Sequence, residues 1–275
     1  MQYCYLNGKI IPLSKAALSP KDLGILRGYG VFDFLRTYNG KPFLLKEHLA
    51  RFKNSARILN LKIPISQEKL EAVIKKLIKK NKFKESNTRI VLTGGPAEDG
   101  LTYNPKNTTL YILNWPYHAP PPSFYTKGVK LITHEYQRQT PRAKVLNYAP
   151  AIALQEKKKK ASAVETLYTQ GSDLLEAAMS NFFIFKKDTL ITPKDNILFG
   201  TTRNFTIKIA RGHFKIEQKR VLKKELNFAT EAFITSTTTD ILPVVRIDNK
   251  IVASGKVGKN TKFLMSLFKE YAEKN

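Results

Sequence analysis

Three consecutive prolines, Pro120, Pro121 and Pro122, interrupt the chain near its middle and constrain its fold more than any other feature of the sequence. Proline has a fixed φ and no amide hydrogen, so stacked prolines hold an extended segment that regular secondary structure does not cross. We therefore predict a proline-rich linker over residues 119–123. It divides the 275 residues into a small N-terminal α+β domain, residues 1–118, and a larger C-terminal α+β domain, residues 124–275.

The pattern of the first domain predicts one sheet with two helices. Asn-Gly at residues 7–8 separates two short apolar runs, which is the strongest short-range signal for a hairpin, and Asn-Gly at residues 39–40 marks a second one. Apolar residues recur at helical spacing over residues 46–59 and 67–81. Two β-rich runs, "TRIVLTG" and "TTLYILNW", follow, so the order of elements indicates an α+β fold rather than a doubly wound sheet.

The second domain is predicted to contain more strands than helices. Its strand-like runs are "GVKLITHEY", "AVETLYT", "NFFIFKK", "TLITP", "AFITSTTT", "LPVVRID" and "KIVAS". Helical patterns cover residues 148–160, the segment "RNFTIKIARG" and an amphipathic stretch from Lys259 onward.

The charge of the chain narrows the partners less than its size suggests. Lys and Arg number 47 against 22 Asp and Glu, which gives a formal net charge of +25 and a field that attracts anions. The lysines cluster on two predicted helices, around residues 75–84 and 157–160, without interleaved aromatic residues or a nucleic-acid-binding motif. We interpret them as solvated helix faces and predict no specific nucleic-acid partner.

Several other classes of protein are excluded or disfavoured. No apolar run approaches the ~20 residues of a membrane-spanning helix, so we predict no membrane partner and a cytoplasmic location. The single cysteine, Cys4, excludes an intrachain disulfide framework and a multi-cysteine zinc site. The four histidines are scattered without metal-ligand spacing, so no metal site is predicted.

Several short motifs occur in one order along the chain. They are "RGYGVFDFLRTYNG", "KEHLARF", "KVLNY", "LLEAAMSN", "GTTR", "TSTTTDILPV" and "IDNK" followed by "GKVG". This ordered set resembles the class IV pyridoxal-phosphate-dependent aminotransferases, which include branched-chain aminotransferases, D-amino-acid aminotransferases and aminodeoxychorismate lyases. The resemblance implies the two-domain, D-amino-acid aminotransferase-like PLP-dependent fold (fold type IV), pyridoxal 5'-phosphate as cofactor and a homodimer.

The resemblance assigns the central chemistry to three residues. Lys144 matches the lysine that bonds to the cofactor and moves the proton from the substrate α-carbon, which is its expected catalytic role. Glu176 matches the carboxylate that faces the pyridine nitrogen, and Tyr148 matches the tyrosine that hydrogen-bonds the phenolic oxygen. A half-buried tyrosine at a helix start is the alternative interpretation of Tyr148.

The phosphate of the cofactor needs hydrogen-bond donors and positive charge. By resemblance Arg51 supplies a bidentate guanidinium, while Thr201 and Thr202 offer amide groups at a helix start. Ser236 and Thr237 add hydroxyl groups in the "TSTTT" turn. Taken alone, "GTT" before a helix is also an ordinary capping sequence.

The residues expected to contact the substrate are Phe32, Arg36, Arg89 and Thr238. Arg89 matches an arginine that helps to hold the acidic co-substrate in branched-chain enzymes, and Thr238 matches a position that lines the substrate site. Arg36 either binds a substrate carboxylate or pairs with Asp33 on its own strand. Asp33 itself replaces a commoner glutamate, and Phe32 stands where the D-amino-acid enzymes carry a tyrosine.

These residues favour an aminotransferase that moves an amino group between an amino acid and a 2-oxo acid, the first choice of donor being a branched-chain or other apolar L-amino acid. A pyruvate-releasing aminodeoxychorismate lyase is the alternative, followed by a D-amino-acid aminotransferase. A rival from another class is a basic binding protein that keeps an inactive aminotransferase scaffold.

Overall fold

The computed structural model describes residues Met1–Lys274, which form two compact units. The first unit comprises Met1–His118 together with Arg142–Asn147. The second comprises Ala119–Pro141 and Tyr148–Lys274. Within residues 1–274 no helix is both long and apolar enough to cross a membrane.

The first unit is a six-stranded antiparallel sheet with helices against one face. Its strands are β1 (Tyr3–Leu6), β2 (Lys9–Pro12), β3 (Gly30–Tyr38), β4 (Lys41–Pro42), β5 (Ser86–Thr93) and β6 (Thr109–Pro116), and its helices are α1 (Leu23–Arg27), α2 (Leu45–Ile58) and α3 (Gln67–Asn81). The strand order is β2-β1-β6-β5-β3-β4. Both predicted hairpins are present, and the two predicted helices agree with α2 and α3 to within one residue.

The alternation of side chains along β3 and β5 gives the sheet two different faces. One face packs on α2 and α3, and its core includes Val31, Leu35, Ile90, Phe52 and Ile74. The residues between them in sequence project to the opposite face, where Phe34 is paired with Arg89 across the two strands. The second face therefore carries polar and aromatic side chains, which leaves it open to chemistry.

The segment Arg142–Asn147 departs from the predicted linear division of the chain because it packs with the first unit. It runs antiparallel to the start of β3, where Val31 and Val145 form a β-bridge. The Phe32 amide donates to the Lys144 carbonyl at 2.9 Å, and the Leu146 amide donates to the Gly30 carbonyl at 3.0 Å. These backbone hydrogen bonds fix the position of Lys144 in the first unit.

The second unit is built on a ten-stranded mixed sheet. Its strands are β7 (Val129–Glu135), β8 (Glu165–Gln170), β9 (Asp173–Ala177), β10 (Asn181–Lys186), β11 (Thr189–Pro193), β12 (Lys215–Lys219), β13 (Val221–Leu222), β14 (Glu231–Ser236), β15 (Asp240–Ile247) and β16 (Lys250–Ile251). Its helices are α4 (Pro122–Lys127), α5 (Ala149–Ala153), α6 (Gln155–Lys160), α7 (Thr201–Ala210) and α8 (Lys259–Lys274). The strand order is β12-β11-β10-β14-β15-β7-β8-β9-β13, with β16 beside β15. The combination of two α+β units is the fold expected from the sequence.

Two local predictions were wrong in detail. The helix predicted over residues 148–160 is split at Leu154 into the two short helices α5 and α6. Residues 119–123 belong to the second unit, and Pro122 begins α4. Proline is well suited to the first turn of a helix, where an amide hydrogen has no intrahelical acceptor, so the proline run ends by starting a helix.

Candidate active site

A buried ionic cluster joins β3 to α2 in the first unit. Both Asp33 and His48 are buried, and the Asp33 carboxylate accepts from Arg51 Nε and Nη2, each at 2.8 Å. His48 Nδ1 lies 2.7 Å from Asp33 Oδ1. His48 and Arg51 are three residues apart on α2, which places them on one helix face, turned towards the sheet.

The protonation of this cluster follows from its contacts. Burial alone would raise the pKa of Asp33, but the charge and hydrogen bonds of Arg51 and the contact with His48 hold it well below its usual range. Burial lowers the pKa of His48, and the positive charges of Arg51 and Lys144 oppose its protonation further, against the effect of Asp33. At neutral pH the cluster therefore contains an ionised aspartate and a neutral histidine.

Lys144 is held by its backbone and points its amine at an aromatic ring. Its amide donates to Ser55 Oγ at 3.0 Å, and Ser55 in turn donates to the Arg51 carbonyl at 2.9 Å. The Lys144 Nζ atom lies 4.5 Å from the centroid of the Phe32 ring. The residue predicted to carry the chemistry is thus anchored on α2 and β3 of the first unit.

Arg89 lies on the second face of the same sheet in an aromatic surround. Its Cζ atom is 5.5 Å from the Phe32 ring centroid, 5.7 Å from that of Phe34 and 5.6 Å from that of Trp115. The Arg89 residue is exposed, so its charge is accessible to an anion. Phe32 is therefore shared by the Lys144 amine and the Arg89 guanidinium.

Arg36 does not pair with Asp33, one of the two alternatives that the sequence left open. Residues three apart on a strand project to opposite faces, and the Asp33 carboxylate is occupied by α2. The Arg36 guanidinium lies between two rings instead, with Cζ 3.9 Å from the Tyr38 centroid and 4.2 Å from that of Tyr117. Its role towards a substrate carboxylate stays a prediction.

In the second unit, Glu176 is buried near the end of β9 and bound on both oxygens. Arg138 Nε donates to Glu176 Oε1 at 3.0 Å, and the Leu198 amide donates to Oε2 at 3.0 Å. Arg138 also donates from Nη2 to the Ala178 carbonyl at 2.5 Å. The Glu176 carboxylate is consequently fixed in orientation and compensated in charge.

Arg138 also connects Glu176 with the predicted tyrosine. Its Cζ atom lies 4.8 Å from the Tyr148 ring centroid and 5.8 Å from that of Tyr168. Burial lowers the pKa of Arg138, but Tyr148 and Glu176 outweigh this effect and the pKa ends above its ordinary value. Burial likewise raises the pKa of Tyr168 to about 12, so this tyrosine stays neutral.

One loop links Glu176 to the start of α7. The Leu198 amide binds Glu176, and its carbonyl accepts from Asn181 Nδ2 at 2.7 Å and from the Gly200 amide at 3.0 Å. Gly200 precedes the first residue of α7, and a Cβ atom there would lie 2.1 Å from Asn181 Oδ1. Only glycine allows this close approach, after which Thr201 begins the helix.

The hydroxyl-rich residues lie where the sequence predicted, at turns and helix starts. Thr201 and Thr202 form the buried first turn of α7, whose amide groups make a favourable environment for an anion. Ser236 ends β14, and its Oγ lies 3.1 Å from Thr238 Oγ1 and accepts from the Thr239 amide at 3.3 Å. Thr237 lies within the same turn.

Within the first unit the structure brings together Phe32, Arg51, Lys144 and Arg89; within the second it brings together Tyr148 and Glu176. Sequence reasoning missed four supporting residues: Asp33, His48, Ser55 and Arg138. The spacing of His48 and Arg51 on α2 was a usable signal for the first cluster. Arg138 carried none, since it is one arginine among several in an irregular segment.

Comparison with known proteins places the chain in a family. A solved branched-chain amino acid aminotransferase of the organism abbreviated T.th., with pyridoxamine 5'-phosphate, has a TM-score of 0.92 and 26% sequence identity, over 99% of this chain and 94% of that one. The fold is therefore that of the fold type IV aminotransferases. Residues 30–247 match the model of the family described as amino-transferase class IV, so the chain belongs to that family and is an enzyme of it.

Two relatives have different named activities. A protein of Methanocaldococcus jannaschii, provisionally named branched-chain-amino-acid aminotransferase, is 32% identical over 282 residues, covering 98% of this chain and 96% of the relative. The D-alanine aminotransferase of Staphylococcus aureus (strain COL) is 30% identical over 278 residues, covering 99% of each chain. The comparisons thus establish the family and leave the amino donor to be inferred.

The residues present fit the pyridoxal phosphate that class IV aminotransferases use. A primary amine, a buried carboxylate and a phenol match the aldehyde, the ring nitrogen and the phenolic oxygen of that group. Arg51 Nη1 has no hydrogen-bond partner among residues 1–274, so it remains available to an anion. The predicted bidentate contact through Nε and Nη2 is not available, because Asp33 occupies that edge.

Proposed function

We propose that the protein is a pyridoxal 5'-phosphate-dependent aminotransferase that moves an amino group from an apolar L-amino acid, such as a branched-chain one, to a 2-oxo acid. Glutamate and 2-oxoglutarate form the second substrate pair. The observation that carries the proposal is the shared contact of Phe32 with Lys144 and Arg89. It sets a reactive amine and a carboxylate-binding cation on one sheet face.

Each task that the reaction requires has a residue to perform it. When bound, the cofactor supplies an electron sink that stabilises negative charge at the substrate α-carbon. Lys144 Nζ takes the proton from that carbon and returns it to the neighbouring carbon. Glu176 holds a proton on the ring nitrogen, and Tyr148 Oη donates to the phenolic oxygen. Arg51, Thr201, Thr202, Ser236 and Thr237 bind the phosphate.

Arg89 is the residue proposed to bind the distal carboxylate of glutamate. A guanidinium among the faces of Phe32, Phe34 and Trp115 is fixed in place by cation–π attraction but remains accessible. The same aromatic rings provide apolar contacts for a branched side chain. One pocket wall therefore suits both an apolar donor and an acidic co-substrate, while Arg36 and Thr238 are proposed to contact the α-carboxylate side.

The first experiment is the visible absorption spectrum of the purified protein loaded with cofactor, before and after addition of single amino acids. We expect the absorption band of the bound cofactor to bleach fastest with leucine, isoleucine, valine or glutamate. Lys144→Ala should abolish turnover, and Arg89→Ala should raise KM for glutamate at least tenfold with less effect on leucine, about 1.4 kcal/mol of binding. Full turnover by Lys144→Ala would overturn the mechanism.

Two outcomes would favour the alternatives. Fastest bleaching by D-alanine would assign the activity of the Staphylococcus aureus relative. Release of pyruvate from aminodeoxychorismate with no 2-oxo acid added would assign the lyase. Phe32, in place of the tyrosine of the D-amino-acid enzymes, and Tyr148, where some lyases have arginine, support the aminotransferase.

We also propose that the enzyme acts as a homodimer in the cytoplasm. The support for the dimer is the resemblance to class IV enzymes, and the location rests on the metabolite substrates proposed above. Light scattering coupled to size-exclusion chromatography tests the dimer, which should have twice the 31.3 kDa mass of the chain. Elution as a monomer at micromolar concentration would contradict it.

A further inference from the structure

The Asp33 carboxylate forms more hydrogen bonds than a buried carboxylate needs for stability alone. Oδ1 accepts from the Phe34 amide at 2.7 Å, from His48 Nδ1 at 2.7 Å and from Arg51 Nη2 at 2.8 Å, while Oδ2 accepts from Arg51 Nε at 2.8 Å. The carboxylate is completely buried. Its orientation is therefore fixed by three independent groups, from β3 and from α2.

The hydrogen-bond roles define the tautomer of His48. An ionised carboxylate can only accept, so the proton of the neutral imidazole lies on Nδ1 and is donated to Asp33. Nδ1 then has no lone pair for Arg51 Nη2, although the two atoms are 3.3 Å apart. His48 consequently acts on Asp33 and contributes to the position of Arg51 only through that carboxylate.

The Arg51 guanidinium is left with one unengaged nitrogen. Nε and Nη2 form a two-point contact with Asp33, which removes rotation of the guanidinium in its plane. Nη1 has no hydrogen-bond partner among residues 1–274, and the Arg51 side chain is 11% exposed. The exposed nitrogen is thus held in a single direction.

We propose that Asp33 and His48 are positioning residues, which fix the Nε and Nη2 edge of Arg51 and leave Nη1 as the nitrogen that Arg51 offers to the phosphate of the cofactor. This inference rests on the proposed function. It assigns no contact with the cofactor to Asp33 or His48. It also predicts an end-on contact by Arg51 in place of the bidentate contact expected from the sequence.

The test compares two aldehydes that differ only in the phosphate. The cofactor-free protein is titrated with pyridoxal 5'-phosphate and with pyridoxal, and the ratio of their dissociation constants measures the phosphate contribution. Asp33→Asn should raise the dissociation constant for pyridoxal 5'-phosphate about tenfold or more, and that for pyridoxal less than about threefold. Asp33→Glu, which restores the negative charge, should recover most of the ratio.

Two further variants separate positioning from general damage. Thr37→Val removes another buried polar group of β3, one that donates to Glu85 at 2.6 Å and accepts from the Ser86 amide at 2.8 Å, and should leave the ratio unchanged. In an Arg51→Gln background Asp33→Asn should change the ratio less than about twofold, because the two residues act as one unit. His48→Gln, which retains the Asp33–Arg51 pair, should lower the ratio at least about threefold and replaces Asp33→Asn if the latter fails to fold.

The outcomes distinguish this inference from the proposed function. If the wild-type protein binds neither aldehyde, the proposed function is wrong. If the wild type binds both and Asp33→Asn weakens both equally, the proposed function stands and the positioning role is wrong. An unchanged ratio for Asp33→Asn or for His48→Gln would also overturn the role of the residue concerned.

Discussion

Arg138 shows how one side chain serves two others in this protein. It donates to Glu176 and to a backbone carbonyl, and its guanidinium lies over the Tyr148 ring. A planar guanidinium can make these contacts at once, whereas an ammonium group presents a single point of charge. Arg138 is therefore expected to set the orientation of both proposed ring-binding groups.

Replacement of Arg138 by lysine should reduce kcat at least tenfold, about 1.4 kcal/mol in the transition state, because the charge remains but the hydrogen-bond geometry is lost. Steady-state kinetics and the absorption maximum of the bound cofactor measure the effect. The matched control is Arg220→Lys, an exposed arginine that binds Asp173 at 2.7 Å and should be nearly neutral. Equal kinetics for the two variants would contradict the role of Arg138.

Asp33 should also give the protein a characteristic dependence on pH. Its folded pKa is depressed, so its ionisation stabilises the fold above the unfolded pKa near about 3.9, and this stability is lost as the pH falls further towards the folded value. Asp33→Asn should lower the free energy of unfolding by about 3–5 kcal/mol at pH 7, since it leaves Arg51 without its counter-ion.

Urea denaturation at a series of pH values tests this expectation. The difference between Asp33→Asn and the wild type should be constant between about pH 5 and 7 and should shrink below about pH 4, where the wild type loses the same charge. A difference that grows on acidification would have the wrong sign.

At the scale of elements, α2 carries a function that its amphipathic pattern does not reveal. Besides packing on the sheet, it holds Asp33 through His48 and Arg51, and it holds the Lys144 backbone through Ser55. The proposed catalytic lysine is thus located by a helix residue 89 positions away in sequence. Such a contact exists only after the first unit has folded.

Ser55→Ala should loosen the segment Arg142–Asn147, because the Lys144 amide loses its acceptor at a cost of about 1–3 kcal/mol. Hydrogen exchange measured by mass spectrometry should show faster exchange in peptides that contain Lys144. Ser86→Ala is the matched control: Ser86 is also buried, but its hydroxyl has no hydrogen-bond partner among residues 1–274. Equal exchange in both variants would contradict the anchoring role.

The elements with local signals were predictable from sequence, and those that depend on distant contacts were not. Helical spacing predicted α2 and α3 because each buries its own apolar stripe, and the order of motifs indicated the family. The split at Leu154 was missed, since lysines at residues 157–160 favour a continuous helix by propensity. The pairing of residues 142–147 with β3 has no local signature at all.

At the scale of the whole molecule, the net charge of +25 is the feature that the proposed chemistry does not use. Like charges on a compact surface repel one another and destabilise the folded state. Added salt shortens the screening length from about 30 Å at 0.01 M to about 8 Å at 0.15 M. The folded protein should therefore gain stability with ionic strength.

We expect Tm of the cofactor-free protein to rise by about 2–4 °C between those two salt concentrations, the equivalent of about 1 kcal/mol. Calorimetry or circular dichroism measures the shift. Replacement of the four lysines at residues 157–160 by glutamine should reduce it, whereas their replacement by arginine, which keeps the charge, should not. A Tm that falls or stays constant with salt would show that repulsion is unimportant here.

The contact of one ring with two charges limits how this enzyme can be redesigned. Any substitution at Phe32 alters the surroundings of the Lys144 amine and of the Arg89 guanidinium together, so donor preference and turnover cannot be adjusted there separately. Trp115 contacts Arg89 and Phe34. Libraries that aim to change the accepted 2-oxo acid while preserving catalytic speed should begin at Trp115.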